Sequence, residues 1–133
     1  MPNHNVTNEW VKTNVLLTLN FEVTHENEIE FLKTFANFYM KYKENSEIIW
    51  HMGHVVEAYL FRTLVEKQLI GEWDAPYCPI EVSETLRCNN EKADSVDTYI
   101  KKYKIEVKNY GSTHNPLYDC EATAKCYFHL IKN

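Results

Sequence analysis

From Val11 to Val23 the chain reads VKTNVLLTLNFEV, and apolar Val15, Leu17, Leu19, Phe21 and Val23 alternate with polar Asn14, Thr18, Asn20 and Glu22, with only Leu16 breaking the pattern. A period of two over this length predicts a strand with one face buried and one face wet. The period then changes: in THENEIEFLKTFANFYMKYK, Ile29, Leu32, Phe35, Ala36 and Tyr39 recur at helical spacing, which predicts an amphipathic helix. Asn27, with Glu30 three positions on, forms a capping-box pattern, and Thr24 is an alternative cap. Glu26, Glu28 and Glu30 at the start and Lys41 and Lys43 at the end complement the helix dipole.

A second helix is expected from Ser46, a good N-cap, to about Leu69, with a stop near Gly71. At helical spacing Ile49, Met52, Gly53, Val56, Tyr59, Leu60 and Thr63 gather into a core stripe. Trp50, Phe61, Leu64 and Val65 make another apolar stripe, with His54 and Glu57 among them. A helix with two apolar faces is either covered on both by its own fold or offers one to a partner. The partner reading assigns Trp50, His54, Glu57, Phe61 and Val65 to a binding surface, with self-association as a homodimer its simplest consequence.

After Pro76 and Pro79 the alternation returns. Ile80 and Val82 against Glu81 and Ser83 predict a strand in PIEVSETLRC, and NNEKADSVD reads as a loop or short helical turn. TYIKKYKIEVKNY puts Tyr99, Tyr103, Ile105 and Val107 on one face, and YDCEATAKCYFHLIK does the same for Tyr118, Cys120, Ala122, Ala124, Cys126, Phe128 and Leu130. The turn-rich GSTHNPL between them predicts an antiparallel hairpin. The order is therefore β-α-α-β-β-β, which predicts an α+β fold: an antiparallel sheet of about four strands with two helices packed on one face. With no repeat, low-complexity segment or long linker, residues 1–133 are read as one domain.

Composition narrows the function classes. The chain of 133 residues is 44% hydrophobic and 25% charged, the balance of a globular protein. No apolar run approaches the roughly 18 residues of a membrane span, and MPNHNVTNEW lacks the basic-then-apolar order of a secretory signal. A soluble cytoplasmic protein is expected. A net charge of −5, with two Arg and twelve Lys, disfavours nucleic acid, whose unspecific binding rests on many basic contacts to phosphate. From Tyr99 onward lysines outnumber acidic residues, which reads as a solvated outer face.

Candidate chemistry is sparse. His51 and His54, one helical turn apart with Glu47 on the same side, form the start of a metal-ligand pattern. A site needs a third or fourth ligand, none is identifiable, and no metal or cofactor is expected. The four cysteines contain no C-x-x-C pair. Cys120 and Cys126 on one strand face would stand roughly 20 Å apart, too far to bridge. Reduced thiols in an intracellular protein are expected, although a bent strand would allow Cys78 to reach Cys88. With three glycines and no G-x-S-x-G or P-loop, the sequence points away from an enzyme. His114 and Asp119, flanking the hairpin loop, are the one candidate acid-base pair.

YKIEVKNYG and DCEATAKCYFHLI resemble the closing hairpin of the hot-dog-fold thioesterases and dehydratases. The resemblance implies a hydrophobic or acyl ligand under a curved sheet. It includes no catalytic motif, and that fold has one central helix where two are expected here, so no functional residue is carried over. The sequence thus leads to a small non-enzymatic binding protein, such as a regulator, inhibitor or immunity-type partner, acting through protein contacts. The alternative is a small-molecule binder or enzyme with an apolar pocket between sheet and helices.

Overall fold

The computed structural model describes residues 24–132 together with Glu9 and Thr13. Of the strand expected over Val11–Val23, only Thr13 falls among the described residues, and it is helical; the rest lies outside them.

The described residues form a helical protein, not an antiparallel α+β sheet. Five α-helices run in the order α1 (Glu28–Tyr42), α2 (Glu57–Glu66), α3 (Val82–Cys88), α4 (Val96–Lys102) and α5 (Pro116–Lys132). Two strands of two residues each, β1 (Ile49–Trp50) and β2 (Ile80–Glu81), pair in parallel, with Ile49 opposite Ile80 and Trp50 opposite Glu81.

Helix α1 forms where expected. The Asn27 side chain accepts the Glu30 amide at 3.0 Å, Glu30 reaches back to the Glu26 amide at 3.3 Å, and Leu32 and Ala36 are buried. The second helix is shorter than expected: Ile49 and Trp50 are strand, residues 51–56 are turn, and α2 starts only at Glu57. Its core face is also reversed. Phe61 and Leu64 are buried, whereas Val56 and Tyr59 of the expected core stripe are exposed. Phe35 and Tyr39 of α1 supply the reason, with ring centroids 5.8 and 4.8 Å from Phe61.

The three later strands are corrected in turn. Strand pairing covers only Ile80–Glu81, and Glu81 then caps α3 by accepting the Ser83 amide at 3.1 Å. Over 96–102, Ser95 accepts the Thr98 amide at 3.1 Å and α4 buries Val96, Tyr99 and Ile100 at helical spacing. From Ile105 to Tyr110 the chain has no regular structure. Over 116–132, Asn115 accepts the Leu117 amide at 2.9 Å, Pro116 occupies the first helical position, and Ala122, Cys126 and Leu130 are buried four residues apart. Every second residue of this stretch is apolar or small, and alternate members of that set, four residues apart, are also helical neighbours. Alternation and helix therefore share residues, and the caps decide. With α4 and α5 helical, no hairpin exists at 99–130, and the hot-dog resemblance does not hold.

Two apolar cores result. One is built by α3, α4 and α5 around Val82, Leu86, Tyr99, Ile100 and Cys126, with Ile49 of β1 packed against it. The other joins α1 and α2 through Leu32, Ala36, Phe61, Leu64 and Ile70, with Trp50 of β1 packed against it. The parallel strand pair thus links the two helical layers at its successive residues.

Candidate functional site

Between the layers lies a cleft of about 1110 Å³. Its aromatic wall comes mostly from α1 and from the segment after α2. Phe38 and Tyr42, four apart on α1, lie 4.9 Å apart between ring centroids, and both are exposed. Trp73 stands at the rim, 83% exposed, in the 3-10 turn Glu72–Asp74. That turn is pinned to α1: the Tyr39 hydroxyl donates to the Asp74 carbonyl oxygen at 2.5 Å, and Lys43 Nζ donates to Asp74 Oδ1 at 2.8 Å. The Lys43 hydrogen bond, then the Gly71 amide, holds the Asp74 carboxyl below its usual range.

The floor is β1. Trp50 lines the cleft with its ring over Gly53, where an added Cβ would fall 2.2 Å from the indole carbon Cδ2. Only a residue without a side chain lets the turn pass under this ring. His51 follows, half-buried, with Nε2 2.8 Å from the Ala93 carbonyl oxygen. A carbonyl only accepts, so Nε2 carries the proton and Nδ1 is the acceptor of the neutral ring.

The opposite end is polar and is built by α4, α5 and the loop between them. His114, Tyr118, Asp119 and Cys120 line it, with Asp97 of α4. Burial raises the Asp119 carboxyl, the imidazole of His114 opposes that rise, Asp97 adds to it and His51 opposes it more weakly. Burial would also raise Asp97, but hydrogen bonds from Lys101 at 2.6 Å and the Tyr118 hydroxyl at 3.0 Å bring it below its usual range. The Tyr118 hydroxyl is pushed up to about 12, first by burial and then by its bond to Asp97. Partial desolvation, with the Asp119 and Glu57 charges, raises the thiol of Cys120, whose residue surface is otherwise exposed. Both shifts run away from the ionised form that a tyrosine or cysteine nucleophile needs.

The residues singled out in the sequence are distributed as follows. Trp50, Glu57 and Phe61 border the cleft, although Phe61 is itself buried in the α1–α2 core. His54 is exposed in the turn before α2, and Val65 is half-buried against the same core. His51 and His54 do not ride on a helix, and among the described residues no three His, Cys, Asp or Glu side chains are grouped to hold a metal. His114 and Asp119 do come together at the cleft, on the loop and first turn of α5. All four cysteines are free thiols, with Cys126 buried and the other three exposed. Phe38, Tyr42 and Trp73 were not singled out. The signal was present: Phe38 and Tyr42 repeat four apart on the side of α1 away from Leu32 and Ala36, and Trp73 lies in a loop sequence just before Pro76.

No protein-family model, curated protein or solved structure matches this chain. Among the described residues, no helix is long and apolar enough to cross a membrane.

Proposed function

We propose that this protein is a non-enzymatic binding protein that acts through protein contacts in the reducing cytoplasm, and that the cleft seats a segment of its partner. The observation that carries the reading is the aromatic wall: Phe38 at 61% and Trp73 at 83% exposure border one concavity instead of filling a core. Exposed aromatic groups around a concave surface are the usual anchors of a protein contact. The raised thiol and phenol at the polar end suit recognition better than nucleophilic chemistry. Four unbridged thiols support the reducing compartment. A small-molecule ligand is the second reading, favoured by the convergence of His114 and Asp119 beside an apolar wall.

Selection of a displayed peptide library on the purified protein tests the first reading. Enriched peptides are expected to bind the native chain and to lose at least about tenfold in affinity to a Phe38→Ala/Trp73→Ala variant of unchanged melting temperature. Absence of enrichment, or binding indifferent to that variant, would overturn it.

A further inference from the structure

The cleft is predominantly acidic, with His51 and His114 counted as neutral. Its lining holds six carboxylates, from Glu47, Glu57, Asp74, Asp94, Asp97 and Asp119, and one ammonium, from Lys43. That formal −5 equals the −5 of the whole chain, so the remainder of the molecule sums to neutral. Part of this charge is answered internally. Lys43 pairs with Asp74 at 2.8 Å, Lys101 with Asp97 at 2.6 Å and Lys92 with Asp94 at 3.8 Å. Glu47, Glu57 and Asp119 form no ion pair with a lysine or arginine among the described residues, although Asp119 feels the imidazoles of His114 and His51. They come from three separate elements: the approach to β1, the first residue of α2 and the first turn of α5.

We propose that the segment seated in the cleft is basic, and that its arginine or lysine side chains are received by Glu47, Glu57 and Asp119 while their stems lie on Phe38, Tyr42 and Trp73. The inference rests on the reading of the cleft as a partner site and adds the chemistry of the occupant. A guanidinium both stacks on an aromatic face and pairs with a carboxylate, so a wall of one kind beside a rim of the other is complementary to arginine in particular. The protein's own surface shows the first half of that contact, with Lys41 Nζ 5.0 Å above the centre of the Tyr42 ring. A second copy of this chain is a poor occupant, because a two-fold contact through the cleft brings like charges together.

The test is fluorescence anisotropy of three labelled octapeptides against the full chain: alternating Gly-Arg, alternating Gly-Glu and alternating Gly-Ser. The Gly-Arg peptide is expected to bind saturably, one per chain, and to weaken with salt. Glu57→Gln/Asp119→Asn is expected to cost at least about tenfold, and Trp73→Ala a similar factor. The control Glu66→Gln/Glu106→Gln removes the same charge from exposed positions outside the cleft and is expected to change affinity by less than about twofold. If a cleft variant does not fold, Glu47→Gln in the loop before β1 takes its place. Equal losses in the cleft and control variants would mean unspecific attraction to an acidic protein and would overturn the proposal. Binding of Gly-Ser or Gly-Glu as tight as Gly-Arg, weakened by Trp73→Ala, would overturn the basic occupant and leave the partner cleft standing. Binding of none of the three would count against both.

Discussion

Glu81 accepts four hydrogen bonds: the Met52 amide at 2.8 Å, the Gly53 amide at 3.2 Å, the Ser83 amide at 3.1 Å and the Ser83 hydroxyl at 2.7 Å. One carboxylate thus fastens the turn after β1 and caps α3. Burial would raise this carboxyl, but the amide and hydroxyl donors together bring it below its usual range. A carboxyl lowered on folding stabilises the protein above its unfolded pKa, and the contribution fades as pH falls through the folded value. Glu81→Ala is therefore expected to cost about 1–3 kcal/mol near neutral pH, and the gap between variant and parent should narrow at about pH 3. Urea unfolding at the two pH values checks this; a gap that is constant or widens on acidification would contradict it. Glu121, held down to about 2 by Lys125, Tyr110 and the Lys108 amide, has the same sign of acid sensitivity, which is why the comparison is made between parent and variant. None of this was legible in the sequence, where Glu81 reads as the wet side of a strand. Its partners Met52 and Gly53 lie 29 and 28 positions away, and no local pattern encodes such a contact.

Helices α2, α3 and α4 all end in the same way. The residue two past each last helical position, Gln68, Asn90 or Lys104, is left-handed, with φ of 56°, 56° and 53°. Paired bonds close each end: Leu69 to Leu64 and Gln68 to Val65, Glu91 to Leu86 and Asn90 to Arg87, Ile105 to Ile100 and Lys104 to Lys101, amide to carbonyl, all between 2.9 and 3.3 Å. This is the Schellman arrangement, which normally recruits glycine. Lys104 is exposed, and Lys104→Gly is expected to stabilise the protein by about 0.5–1 kcal/mol by removing left-handed strain, read as a higher urea midpoint at unchanged slope. A lower midpoint would contradict it. The missing glycines also explain why the sequence was hard to divide. Helix stops usually announce themselves by glycine, and only Asn90 among these three residues is a common substitute. Helix starts were better marked: Asn27, Ser95 and Asn115 followed by Pro116 are recognisable caps. Behind Ser95 and Asn115, however, the alternation of Tyr99–Val107 and Tyr118–Leu130 mimics strands and masks the helices that these caps start.

For the whole molecule, α1 and its register were legible, because a long amphipathic period with a cap and matching end charges admits one reading. Which face of α2 turns inward was not, since two apolar stripes compete and only the neighbouring rings of Phe35 and Tyr39 choose Phe61. The cleft was out of reach for the same reason: it exists between two layers whose packing is decided by residues distant in sequence, joined by a parallel strand pair of two residues each. Trp50, Glu57, His114 and Asp119 were singled out separately, on two supposed surfaces, and the fold brings all four to one cleft. The proposed occupant of this cleft is a basic segment of a partner. The most direct test of that proposal is a map of amide and indole shifts in ¹⁵N-labelled full-length protein as the Gly-Arg octapeptide is added. Perturbations are expected at the indoles of Trp50 and Trp73 and at the amides of Glu47, Glu57 and Asp119, from both layers at once. Shifts confined to outer helix positions such as Leu117 and Phe128, or no shifts at all, would contradict the account.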